Sequence, residues 1–267
     1  MKIYFINKKI LLGMIISIVT ILLIFLYFSF SNTANTNSSS IIDSVSNNLY
    51  QKIIELYPNE KIAFLTFDDG PNVSVTPKVL DILKEENIKA SFFVIGKCVD
   101  ANPEITKRAY DEGHYIANHG YSHNNNLLYK SSDNFLNEVK KTDLAIGNAI
   151  GVSDYCSHLF RFPNGFMSPS NKSKKKEAVK LLQDIEYTYI DWNCLNNDSI
   201  KKYSSSQLLN NLIKSSKNKD ILVILMHDTK DVSNSSLVLN DSIKYLKDKG
   251  YVFKNFYDIM PNILIMK

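Results

Sequence analysis

Arginine is almost missing from this chain: Arg108 and Arg161 are the only two among its 31 basic residues. The net charge of +4 rests on scattered lysines, with no basic stripe carrying interleaved aromatics. Nucleic-acid binding therefore has little support. Cysteine is scarce as well. Cys98, Cys156 and Cys194 show no CxxC or other close spacing, which argues against a zinc knuckle or a disulfide framework. None of them sits in a nucleophile context, so they read as small buried hydrophobes. The nine glycines form no phosphate-binding loop after any candidate strand, which weakens a nucleotide-binding sheet.

A recognisable leader-cleavage site is lacking too. Residues 10–30 are uncharged and strongly apolar, and Lys2, Lys8 and Lys9 precede them. A bilayer-spanning helix needs about 20 such residues, whereas the apolar part of a cleaved leader usually has about 7–15. No A-x-A-like site follows Phe30. The expectation is a cytoplasmic tail at 1–9, a single transmembrane anchor at 10–30 and, by the positive-inside rule, an extracytoplasmic remainder held at the cell membrane. Residues 31–60 read as a linker: 31–48 is dominated by Ser, Asn and Thr, and Leu49 to Tyr57 forms a short helix leading into a domain over 61–267.

What is present from residue 61 onward is alternation. Short β-branched or aromatic runs at 62–67, 90–95, 115–118, 158–162, 187–192, 221–226 and 252–256 read as strands. Amphipathic segments near 76–86, 103–112, 133–149, 173–184, 205–217 and 235–248 read as helices, with Asp133 as a cap for the third. Parallel βα units are the fold class this implies, as an open sheet or a barrel. In a barrel, functional side chains gather at the carboxyl ends of the strands.

Titratable residues stand at those ends. Asp68 and Asp69 follow the first strand, in LTFDDGP, and His119 and His123 follow the third. Arg161 closes the fourth, Asp191 and Trp192 the fifth, and His227 and Asp228 the sixth. Adjacent carboxylates repel and resist desolvation, so a cation between them is the expected compensation. Two histidines and one aspartate supply three ligands and leave a position for water, as in a catalytic zinc-type site. The other aspartate of the pair would act as base, with Arg161 as its charge partner. His227 is the natural acid, and Asp191 is the candidate to orient its ring. His114 and His158 lack such neighbours and read as structural.

In order along the chain, TFDDGP (66–71), HGYSH (119–123), RFPNG (161–165), DWN (191–193) and LMH (225–227) resemble the five motifs of the polysaccharide deacetylases, carbohydrate esterase family four. The resemblance spans about residues 61–256. It implies a distorted (β/α) barrel with fewer than eight strands, here a (β/α)7 barrel after the anchor. It implies Asp68 as catalytic base, and Asp69, His119 and His123 as ligands of one divalent ion, zinc first, with cobalt, manganese or nickel as alternatives. It also implies Arg161 paired with Asp68, Asp191 tuning His227, and the Asn164 backbone N–H in the oxyanion site. Trp192 and Leu225 would wall the acetyl methyl. Two positions depart from the family pattern: Gly120 replaces a hydroxyl residue, and Asn164 replaces an aromatic. Members specialised for N-acetylmuramic acid often lack the second aspartate, which this chain keeps. The implied activity is N-deacetylation of GlcNAc in a cell-wall glycan, peptidoglycan above all, with no protein partner. An O-acetyl esterase using the same site and a non-catalytic glycan-binding module are the alternatives.

Overall fold

The computed structural model describes residues 49–229 and 235–260. The predicted span at 10–30 and most of the predicted linker lie outside the described residues. No helix among the described residues is long and apolar enough to cross a membrane.

Eight strands form one parallel sheet. They are β1 (Ile62–Asp68), β2 (Ser91–Val94), β3 (Tyr115–Asn118), β4 (Leu159–Phe160), β5 (Thr188–Tyr189), β6 (Cys194–Leu195), β7 (Ile221–His227) and β8 (Val252–Lys254). The order is β5-β4-β3-β2-β1-β7-β6. On one side of β1, β8 pairs with Ile62 to Phe64, while β2 pairs with Thr66 to Asp68. The helices are α1 (49–56), α2 (Thr76–Glu85), α3 (Gly96–Ala101), α4 (Pro103–Asp111), α5 (Asn125–Leu128), α6 (Ser132–Ile150), α7 (Lys172–Asp184), α8 (Ser205–Ser216) and α9 (Ser235–Asp248). The result is a parallel half-barrel, consistent with the expected (β/α) barrel, with eight strands where seven were expected and with no pairing between β5 and β6 among the described residues.

The period of two along β1 sorts its side chains. Ala63, Leu65 and Phe67 join the core shared with the helices, whereas Ile62 and Phe64 join a second, inner cluster. Thr66 and Asp68 continue that inner face, so it grades from apolar at the floor to ionic at the mouth. Leu49 and Ile53 of α1, with Phe256, Ile259 and Met260, fill the floor. Tyr50 is tied there too, donating its hydroxyl to the Ile221 carbonyl at 2.9 Å. Helix α1, expected to lead into the domain, thus packs on its inner cluster. Ile53 is fully buried, so Ile53→Ala is expected to cost about 2–5 kcal/mol, read as a lowered denaturant midpoint at constant slope.

Two local expectations change. Ser131, and not Asp133, caps α6, its hydroxyl accepting the Asn134 N–H at 3.2 Å, while Asp133 lies in the first turn. Strand β6 was not predicted: two residues are too few for an alternation pattern to show.

Candidate active site

Parallel register brings the strand ends level. Asp68 of β1 is directly opposite His227 of β7, and the Asp228 N–H donates to the Asp68 carbonyl at 3.2 Å. On the other side the His119 N–H donates to Val94, and the Arg161 N–H to Asn118, each at 3.0 Å. Five separated stretches of sequence thus contribute to one rim.

Asp69, His119 and His123 converge as expected, their candidate ligand atoms all within 4.8 Å of one another. The Asp69 Oδ1 atom lies 3.4 Å from His119 Nε2 and 3.3 Å from His123 Nε2. It is buried and has no hydrogen-bond partner. Burial pushes the Asp69 carboxyl up, but the adjoining imidazoles, His119 before His123, outweigh it and hold it well below the carboxylate range. His119 Nδ1 is engaged by the Arg161 carbonyl at 2.8 Å, which fixes the ring with Nε2 toward the cluster. A buried, orphaned carboxylate oxygen facing two imidazole nitrogens fits a divalent cation. Asp69 and His123 reach this geometry through left-handed backbone, at φ 76° and 53°. Such conformations are costly for most residues and cluster where geometry serves function.

Asp68 faces two ways. Its Oδ1 accepts from Arg161 Nη1 at 2.8 Å, and its Oδ2 lies 3.9 Å from His119 Nε2. Arg161 is fully buried inside the half-barrel, donating also to Thr66 Oγ1 at 2.7 Å and the Ile190 carbonyl at 3.1 Å, with its guanidinium 3.9 Å from the Phe93 ring centroid. A planar cation with several donors serves these partners together, which one ammonium does not. This accounts for arginine here in a chain that otherwise uses lysine.

The partner of His227 is a correction. The sequence assigned Asp191 to orient this ring, but Asp198 holds it: Nδ1 lies 2.8 Å from Asp198 Oδ1, and the His227 N–H donates to Asp198 Oδ2 at 2.8 Å. Register explains why. Strand β6 pairs with β7, Leu195 opposite Leu225, so the chain just beyond β6 lies beside His227. Asp191 instead accepts the Phe166 and Met167 N–H groups at 2.9 and 3.1 Å. Burial alone would lower the His227 pKa, but the Asp198 hydrogen bond and charge, aided by Asp68 and Asp69, raise it to about 9.

A folded-state pKa above the ordinary value of about 6.5 means that the His227 ion pair stabilises the fold fully below that value, and that this is lost as pH rises through about 9. Asp198→Asn is expected to move the alkaline limb of kcat/KM to lower pH, read from a pH profile against wild type. An unmoved limb would count against His227 as the acid.

Leu225 shares the inward face of β7 with His227, and Trp192 packs on the inner cluster. Asn164 is exposed, and its N–H has no backbone partner among the described residues.

Both departures from the family pattern have backbone reasons. Gly120 has φ 80° and Asn164 has φ 63°, values that glycine and asparagine tolerate best. The steadying of the 119–123 loop falls to Glu138 of α6, whose Oε2 accepts the Tyr121 N–H, the Ser122 N–H and the Ser122 hydroxyl at 3.0, 2.8 and 2.9 Å. Nothing local in the sequence links Glu138 to that loop.

Asp228 is more than a polar strand end. It is buried, accepts the Thr76 hydroxyl at 2.6 Å, and is pushed up to about 7, chiefly by burial. A Cβ on Gly70 would lie 2.1 Å from its carboxylate, so the DDGP turn requires glycine there. His114 and His158 lie in backbone contacts, with Ala90 N at 3.0 Å and the Glu186 carbonyl at 3.0 Å. All three cysteines are free thiols.

The chain as a whole is similar to known proteins. The polysaccharide deacetylase family profile matches residues 56–190. A peptidoglycan-N-acetylglucosamine deacetylase of Bacillus cereus is 34% identical over 203 residues, 74% of this chain and 70% of that one. A peptidoglycan-N-acetylmuramic acid deacetylase of Bacillus subtilis is 30% identical over 217 residues, 80% of this chain and 78% of that one. Among solved structures, a Streptococcus mutans CE4 esterase superposes with a TM-score of 0.69 at 29% identity, covering 79% of this chain and 90% of its own. The chain belongs to the polysaccharide deacetylase family and is a hydrolase of that family.

Proposed function

We propose that the protein removes N-acetyl groups from GlcNAc residues of a cell-wall glycan, peptidoglycan first, with a divalent ion held by Asp69, His119 and His123. The observation that carries this is the buried, orphaned Asp69 Oδ1 facing two imidazoles, beside a second carboxylate already paired with arginine. The relatives named for peptidoglycan deacetylation support the substrate class. Zinc suits this donor set, as do cobalt, manganese and nickel. The apolar run at 10–30 supports anchorage in the cell membrane with the catalytic domain outside, beside its substrate.

When bound, the ion supplies Lewis acidity toward the attacking water and the acetyl carbonyl. The chain supplies the rest. Asp68 Oδ2 takes a proton from water as the new carbon–oxygen bond forms, while Arg161 fixes Oδ1. The Asn164 N–H donates to the developing oxyanion. Trp192 and Leu225 enclose the methyl group. Protonated His227, steadied by Asp198, gives its proton to the departing nitrogen, so that the carbon–nitrogen bond breaks to acetate and a free amine.

The test is mass spectrometry of N-acetylated and O-acetylated glycan fragments incubated with protein, with chelator and after metal return. Loss of N-acetyl groups that stops with chelator is expected. Loss of O-acetyl groups alone would replace the amide reading with the esterase one. No loss of either with every metal would favour a binding module.

A further inference from the structure

Asp198, and not Asp191, holds the His227 ring, and Lys175 takes no part in the proposed chemistry. Asp191 and Lys175 meet on the same turn. After Arg161 the chain runs through Asn164 and Gly165 in consecutive left-handed conformations, at φ 63° and 78°. The turn keeps one backbone bond of its own, from the Gly165 N–H to the Phe162 carbonyl at 2.7 Å, and neighbouring residues at positive φ persist where the surroundings over-determine them.

The support comes from opposite charges on two different elements. Beyond β5, Asp191 accepts the Phe166 N–H at Oδ1 and the Met167 N–H at Oδ2. From the first turn of α7, Lys175 Nζ donates to the Gly165 carbonyl at 2.6 Å and the Ser168 carbonyl at 3.3 Å. Lys175 is 1% exposed. A buried lysine is unusual, and a cation at the start of a helix opposes the helix dipole. Its place is explained only by what it holds.

The turn between the two charges touches the proposed pocket on three sides. It carries the Asn164 N–H. A Cβ on Gly165 would come within 2.9 Å of Trp192 Cη2, so the turn lies directly against the indole. The Asp191 carbonyl, at 3.4 Å, is also a partner of Arg161 Nη2, on the guanidinium that holds the base. A shift of the turn would therefore displace oxyanion donor and methyl wall together, and leave the cation ligands where they are.

We propose that Asp191 and Lys175 are positioning residues that clamp the 165–168 turn from both sides and thereby set the Asn164 N–H and the Trp192 wall for the transition state. This rests on the deacetylase reading for its catalytic consequence, but not for the clamp itself.

The experiment uses Asp191→Asn, Asp191→Ala, Lys175→Met and the double variant Asp191→Asn with Lys175→Met in the full chain. Because misplacing a transition-state donor can cost up to about 10²-fold, kcat is expected to fall by about 10- to 100-fold in the single variants with KM little changed. The double variant should fall by less than the product of the two. Cation content and the alkaline limb set by His227 should stay as in wild type. An alkaline limb displaced in Asp191→Asn would return Asp191 to His227 and overturn the proposal, as would undiminished kcat in both single variants.

A second readout does not depend on turnover: hydrogen exchange at the Phe166 and Met167 amides should speed up in Asp191→Ala. If Lys175→Met fails to fold, the two Asp191 variants still decide. Unchanged exchange at both amides overturns the clamp. If wild type proves inactive on acetylated glycans while exchange rises in Asp191→Ala, the clamp stands and the deacetylase reading falls.

Discussion

Asp68→Asn is expected to lower kcat for deacetylation by roughly 10²–10⁴-fold with the cation content of the protein unchanged. Asparagine keeps the shape, and its amide oxygen can still accept from Arg161. What changes is the atom at the Oδ2 position, 3.9 Å from His119 Nε2, where a proton donor would replace a proton acceptor. Asp69 and both histidines remain in place, so a loss of rate without a loss of metal isolates the proton-transfer step. Breaking a buried ion pair from one side costs about 3–5 kcal/mol, and Arg161 would be left without its carboxylate, so thermal stability must be measured alongside. Undiminished deacetylation by a folded Asp68→Asn protein would remove Asp68 as the base.

The second large effect is expected at Asp69. Because its φ is 76°, alanine would add backbone strain to the loss of a ligand. Asp69→Asn is the cleaner replacement, since asparagine tolerates that conformation and removes only the charge. Outer-shell partners of metal ligands typically contribute 10–100-fold in affinity or activity, so removal of this anionic ligand should exceed about 100-fold in cation affinity. Activity should return in part when metal is raised. Wild-type protein should melt higher with metal than with chelator, by an amount corresponding to about 2.7 kcal/mol when free metal is 100 times Kd. Titration calorimetry with zinc, cobalt, manganese and nickel, followed by melting curves, measures both. Equal melting with metal and with chelator would sink the site.

Much of the candidate site could be read from local sequence because several strands end beside the residues proposed for it. LTFDDGP and LMH each carry the end of a strand and its terminal residue in one stretch, and HGYSH begins at the residue after β3, so position in the fold followed from position in the chain. Asp198 and Glu138 escaped that logic for different reasons. Asp198 is placed by β6, which is two residues long and visible only through its pairing with β7. Glu138 acts from the interior of α6 on a loop that precedes the helix in sequence, and helical periodicity says only which way a side chain points, not what it meets. Asp191 misled for a related reason: it stands at the right distance along the chain, but β5 is at the far edge of the sheet from β7. Sheet order is set by long-range pairing, and no spacing in the sequence records it.

The floor plug also has a mechanical consequence. Helix α1 enters beneath the strand ends opposite the mouth, and β1 separates the two by about 20 Å at roughly 3.3 Å per residue. A pull on the chain upstream of residue 49, from a resin in the laboratory or from a bilayer under the proposed anchorage, is borne by Leu49, Tyr50 and Ile53. The load path ends in the floor and spares the loops that hold Asp69, His119 and Asn164. The domain can therefore be gripped by one end while it works with the other.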